Sequence, residues 1–170
     1  LIDNWDNLTS KSILWHKPDF MAVWGEQTKM HAIKFQKMPQ NRVFELGTPR
    51  FDQYFQTRDN KIATNFEFKY ILFVGTFLEF NELEAITIIN NTIDNNIEAF
   101  SSIKLVYRPH PWRQGKAVNH IANLKHVVLD PQIEESYLKG NKSFQPKLDY
   151  YPSLINNSEM IIGGLTSMII

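Results

Sequence analysis

The run Tyr70-Ile71-Leu72-Phe73-Val74, closed by Gly75, constrains the fold more than any other part of the chain. A continuous apolar run of this length suits a strand buried on both faces, and such strands belong to parallel sheets. Behind it, Leu83, Ile86, Ile89, Ile93, Ile97 and Phe100 recur at spacings of three and four, which makes one apolar stripe on a long helix. Ile103–Tyr107 reads as the next strand and His126–Leu129 as another. Leu148, Tyr151, Leu154 and Ile155 line one face of a short helix, and Met160–Ile162 forms the last strand. Strands alternating with helices at these spacings mean βαβ units and a parallel sheet with helices on its faces. Ligands of such sheets bind beyond the carboxyl ends of the strands.

Upstream the pattern is shorter. Asp19–Trp24 reads as a strand. Gly25 opens a helix to about Lys37, with Glu26 in the first turn, where the helix dipole favours a carboxylate. Arg42–Leu46 is a second strand, ended by Gly47-Thr48-Pro49. Residues 51–68 carry no clean period. The expected organisation is the end of one domain over 1–48, a linker over 49–68 and a Rossmann-like domain over 69–170. The chain opens at Leu1 rather than a methionine, and Met168-Ile169-Ile170 would be the first turn of a helix. One turn is unstable alone, so a longer protein is expected at both ends.

Composition excludes several function classes. Lysine plus arginine, 18, equals aspartate plus glutamate, 18, so the chain has no global electrostatic footprint for nucleic acid. Cysteine is absent, which removes disulfides and thiolate metal sites from these residues. His16, His31, His120 and His126 lie apart without metal-binding spacing. No apolar run approaches the roughly 20 residues that span a bilayer, and no Gly-x-Ser-x-Gly elbow marks an α/β-hydrolase. Trp5, Trp15 and Trp24 are expected in the core, and Glu134-Glu135 in a solvated turn.

The chemistry concentrates at three strand ends. Gly75-Thr76 follows the first strand of the second domain: the glycine admits close backbone approach, and the threonine hydroxyl can donate to a phosphate. Arg108-Pro109-His110-Pro111-Trp112 follows the next strand. Two prolines stiffen this loop. Arginine suits bidentate phosphate contact, and histidine can donate a hydrogen bond near neutral pH. Gly163-Gly164-Leu165-Thr166-Ser167 follows the last strand, where free N–H groups and hydroxyls at a helix start make an anion site. It is neither a Walker loop nor Gly-x-Gly-x-x-Gly. Together these segments predict a two-sided phosphate cradle.

Several of these segments resemble a known family. Gly47-Thr48-Pro49-Arg50-Phe51-Asp52 is similar to the segment entering the interdomain linker of GT-B-fold transferases. Arg108-Pro109-His110-Pro111 resembles the Arg-x-His-Pro loop of CDP-glycerol:polyol-phosphate transferases and related capsule glycosyltransferases. Asp149 to Ser167 resembles their helix, strand and hydroxyl-rich turn, although they commonly carry Asp-Tyr-Ser-Ser where this chain has Gly164-Leu165-Thr166-Ser167. Asp3 to Lys11 resembles the end of the acceptor domain of bacterial surface-polysaccharide glycosyltransferases.

The resemblance implies two Rossmann-like domains facing a cleft, and a nucleotide-activated sugar donor bound by the second. It implies a glycan or lipid-linked acceptor, no cofactor and no obligatory metal. It assigns Arg108, His110, Gly164, Thr166 and Ser167 to the donor diphosphate; Gly75, Thr76 and Gly163 are substrate-binding candidates from their positions at strand ends. Arg50 and Asp52 fall to the interdomain hinge, and Asp6 is an acceptor-side candidate for catalysis. The expected place of action is the cytoplasm, with peripheral attachment to the inner face of the membrane. A nucleotide-sugar 2-epimerase and a non-catalytic nucleotide-binding module remain the alternatives.

Overall fold

The computed structural model describes residues 8, 13–56, 66–110, 119, 121–138 and 150–164. The chain divides into two compact units, 1–56 and 57–170. The division falls inside the stretch 49–68 read as a linker, whose residues 57–65 lie outside the described ones.

The first unit contains strand β1 (Met21–Val23), helix α1 (Glu26–Lys34), strand β2 (Val43–Glu45) and helix α2 (Asp52–Gln56). β1 and β2 pair in parallel, Met21 opposite Val43. Leu8, Met21, Val23, Ala32, Met38 and Val43 form its core. The helix read to Lys37 ends at Lys34. The Gln36 side chain is used instead to tie loops together, donating to the Leu8 carbonyl and accepting from the Leu14 N–H. Within the stretch read as a linker, a 3-10 turn over Pro49–Phe51 leads into α2, and the Phe51 ring meets Trp24 edge-on at 5.5 Å. Trp15, expected in the core, is 87% exposed.

The second unit is built on a four-stranded parallel sheet. Its strands are β3 (Lys69–Val74), β4 (Ile103–Arg108), β5 (Val127–Leu129) and β6 (Met160–Gly163), in the order β5-β4-β3-β6. Among the described residues its longer helices are α3 (Glu82–Asn95), α4 (Pro131–Leu138) and α5 (Tyr150–Asn156). β3 lies between β4 and β6, and every residue of it after Lys69 is buried. That is the burial that a parallel strand covered on both faces requires.

Alternate side chains serve two cores. Ile71, Phe73, Leu105 and Tyr107 pack with Ile86 and Ile93 of α3 and Ile133 of α4 on one face. Tyr70, Leu72, Val74 and Val106 pack with Phe66 and Leu154 of α5 on the other. The unit is therefore a mixed α/β structure, a parallel sheet with helices on both faces, compatible with a Rossmann-like fold. Among the described residues no helix is long and apolar enough to cross a membrane.

Tyr70, in the second core, ties β3 to α5: its hydroxyl donates to the Leu154 carbonyl at 2.7 Å. Burial, and then the charge of Asp130, push its pKa up to about 12. An unfolded tyrosine ionises near 10, so the folded state holds its proton longer than the unfolded chain does. The stability this gives is complete below pH 10 and is lost as pH rises from 10 towards 12. The melting temperature should fall through that window, and Tyr70→Phe should fall less steeply. Equal slopes for the two proteins would reject the assignment.

Candidate functional site

The order β5-β4-β3-β6 fixes where a ligand can enter. From β3 the chain moves outward to β4 and β5, then returns to place β6 on the other side of β3. The direction of winding reverses between β3 and β6, and a crevice opens outside the carboxyl ends of strands at such a point. Gly75-Thr76 leaves β3 there, and Gly163 and Gly164 close β6 there, with Val74 in register with Gly163. Pro109-His110 leaves β4 alongside, and the Gly75 N–H donates to the Arg108 carbonyl at 2.8 Å.

Two glycines let these segments touch. A Cβ at Gly75 would lie 2.8 Å from the His110 backbone nitrogen, 2.9 Å from Pro109 Cα and 2.9 Å from Glu82 Oε2. A Cβ at Gly164 would lie 2.8 Å from Thr76 Cγ2. These distances are shorter than real Cβ contacts, so a larger residue at Gly75 must displace the Pro109-His110 backbone or Glu82, and one at Gly164 must displace the Thr76 side chain. Thr76 is buried between them; its N–H donates to Glu82 Oε1 at 2.7 Å, and its hydroxyl accepts from the Leu78 N–H at 3.2 Å. The His110 ring is half-buried and lies against the Phe77 ring at 5.6 Å.

The structure thus brings Gly75, Thr76, His110, Gly163 and Gly164 to one rim. Thr166, Ser167 and Asp6 lie outside the described residues, as do Pro111 and Trp112. Arg50 sits in the 3-10 turn before α2, its side chain outside the described ones, and Asp52 is exposed at the start of α2.

Arg108 takes a different position from the solvent-presented phosphate contact that its loop suggested. It is buried, its guanidinium paired with Asp130 Oδ2 through Nη1 and donating from Nη2 to the Tyr151 hydroxyl at 2.8 Å. The Tyr151 ring lies 4.6 Å from the guanidinium carbon. Burial alone would lower the Arg108 pKa; the Asp130 charge and Tyr151 more than offset it, and the net direction is upward. Asp130, wholly buried, also accepts from the Tyr150 hydroxyl and from the Gln132 N–H at 3.0 Å. Burial, then the charge of Asp130 and its hydrogen bond, hold the Tyr150 pKa far above its ordinary value.

Sequence reasoning missed Asp130 and Glu82. Asp130-Pro131 was legible as a helix start, an N-cap aspartate with proline at the first helical position. Its helix α4 carries exposed Glu134 and Glu135, which are helical rather than in a turn. Glu82 had no comparable signal. The legible start of α3 is Asn81, whose side chain accepts from the Glu84 N–H while Glu84 accepts in return.

A cavity of about 420 Å³ lies at the opposite, amino-terminal edge of the sheet, lined by Phe68, Lys69, Lys104, Ser101 and His126 among others. It shares no residue with the crevice. Among the described residues no group of three or more acidic or histidine side chains is placed to hold a metal ion. No protein-family model and no curated protein matches the chain.

Breaking the buried pair should be expensive. Removing one partner leaves an uncompensated charge in the interior, which costs about 3–5 kcal/mol. Arg108→Ala and Asp130→Ala should each lose that much stability in urea unfolding. Arg108→Lys should recover little, because an ammonium lacks the planar fork. A loss within about 0.5 kcal/mol, the range of surface substitutions, would return Arg108 to a solvent-facing role.

Proposed function

We propose that the crevice between β3, β4 and β6 binds the diphosphate of a nucleotide-activated donor, and that the protein is a glycosyltransferase of the GT-B type. It moves a sugar, or a polyol phosphate, to a surface-polysaccharide or lipid-linked acceptor on the cytoplasmic side of the membrane. The observation that supports this reading is the convergence of Gly75-Thr76, Pro109-His110 and Gly163-Gly164 at the reversal of strand order. The glycines let these segments approach one another closely, and the carboxyl ends of strands at such a reversal are where sheets of this kind bind ligands.

His110 is the proposed donor to the leaving diphosphate. In sugar transfer the acceptor hydroxyl gives up its proton to a base and bonds to the sugar as the bond from sugar to diphosphate breaks, its electron pair leaving with the nucleoside diphosphate. In polyol-phosphate transfer the hydroxyl bonds to the outer phosphorus and a nucleoside monophosphate leaves. In both, a hydrogen-bond donor already in place stabilises the charge that develops on the leaving phosphate. Thr166 and Ser167 keep the diphosphate-binding role that the resemblance gives them. Arg108 acts through its loop: a guanidinium locked against Asp130 and Tyr151 fixes the strand end from which Pro109 and His110 project. Asp6 keeps its place as an acceptor-side candidate, and Arg50 and Asp52 theirs at the hinge.

Thermal unfolding against UDP, CDP, GDP and their sugar conjugates tests the reading. A ligand at about 100 times its dissociation constant adds about 2.7 kcal/mol of stability. One nucleotide series should raise the melting temperature, and His110→Ala should lose the rise. With the matching donor and acceptor, turnover by His110→Ala should fall roughly hundred- to thousand-fold. A folded protein that responds to no nucleotide would end the proposal.

A further inference from the structure

Beneath the crevice lies a carboxylate that neither the strand-end motifs nor the proposed diphosphate contacts include. Glu82 is the first residue of α3 and is 4% exposed. Oε1 accepts from the Thr76 N–H at 2.7 Å, and Oε2 accepts from the Tyr107 hydroxyl at 2.5 Å. Oε2 also lies 2.9 Å from the position a Cβ on Gly75 would take. One side chain therefore spans the ends of β3 and β4 and fills the space that the missing side chain of Gly75 leaves.

We propose that Glu82 is the positioning residue of the crevice, setting the shape of the Gly75-Thr76 turn against which Pro109-His110 and Gly164 close. The inference rests on the reading that the crevice binds a nucleotide diphosphate. Three features carry it. The Thr76 bond is short and charge-assisted, the stronger kind, so it holds the turn more firmly than a loop of two residues holds itself. The carboxylate sits at the start of α3, where the helix dipole favours negative charge. Thr76 is also the residue on which Gly164 packs, with only a hydrogen in between.

A consequence follows for the donor. The Thr76 N–H is committed to Glu82 and is not offered to phosphate. Of the two sides of the reversal, the turn after β3 supplies shape, and the histidine and glycine segments supply contact. Glu82 touches no ligand and acts through Thr76 and Tyr107.

The test compares Glu82→Ala and Glu82→Gln by two readings: the dissociation constant for the nucleotide that stabilises the wild-type protein, and the backbone amide signals of Gly75, Thr76, His110 and Gly164. Glu82→Ala should move those four signals together and weaken binding about tenfold or more, the effect of losing one charge-assisted hydrogen bond. Glu82→Gln keeps a carbonyl oxygen for the Thr76 N–H and should recover most of the affinity. A merely structural glutamate would lower the melting temperature of both variants while the folded fraction bound normally. Wild-type affinity in folded Glu82→Ala overturns the proposal.

If Glu82→Ala does not fold, Glu82→Asp replaces it; shorter by one methylene, it cannot reach both Thr76 and Tyr107, and the same outcomes apply. If the wild-type protein binds no nucleotide, the transferase reading falls, and the amide signals alone decide the role of Glu82. Unchanged signals at Thr76 and Gly164 in the variant would overturn it.

Discussion

The buried contact between Arg108 and Asp130 is the constraint on which the carboxyl edge of the second unit depends. Asp130 faces four ways at once. It pairs with the guanidinium, accepts from the Tyr150 hydroxyl, caps α4 through the Gln132 N–H, and joins the ladder by donating its own N–H to the Tyr107 carbonyl. β4, β5, α4 and α5 meet in this cluster. An ion pair of this kind adds little net stability over apolar residues of the same volume, yet it is costly to break. In this arrangement the guanidinium, the carboxylate and both tyrosine hydroxyls at the meeting of the four elements all have partners. The residue it fixes, Arg108, stands directly before Pro109 and His110.

On the other side of β4 the same edge is held by close backbone contact and by the Glu82 carboxylate. Gly75 and Gly164 remove the side chains that would separate β3, β4 and β6, and Glu82 occupies part of the room so released. The two arrangements differ in what they tolerate. A pair of ions fails when either member is lost. Glycine contacts fail when anything is added. Between them they leave a narrow set of shapes for the segment that carries His110.

The sheet was legible in the sequence because its signals are local and strong. Tyr70–Val74 is apolar throughout, and the stripe beginning at Leu83 has helical spacing, so β3 and the start of α3 could be placed within a residue; the stripe was read on to Ile97 and Phe100, whereas α3 ends at Asn95. The position of the crevice followed, since strand ends and glycines can be counted along the chain. The inward turn of Arg108 was not legible. An arginine after a strand looks alike whether it meets solvent or a buried aspartate 22 residues further on. Glu82 was hidden for the same reason: its partners Thr76 and Tyr107 come together only once β3 and β4 have paired. α4 was missed although Asp130-Pro131 signals a helix start, because the paired glutamates drew the reading towards a turn. In the first unit, Trp15 shows that a large aromatic side chain does not by itself mean burial.

The place of β6 has a consequence for how the second unit assembles. β3, α3, β4 and β5 follow one another along the chain and can pair as they are made. β6 comes last and pairs with β3, which came first, so its contacts close a loop as long as almost the whole unit. Long loops delay closure, since their entropy is lost before the contact repays it. During synthesis β3 would stand as an edge strand, one side unpaired, until Met160–Gly163 arrives. The rim of the crevice is completed by that same late step, so the cradle proposed for a nucleotide would take shape only once β6 has paired.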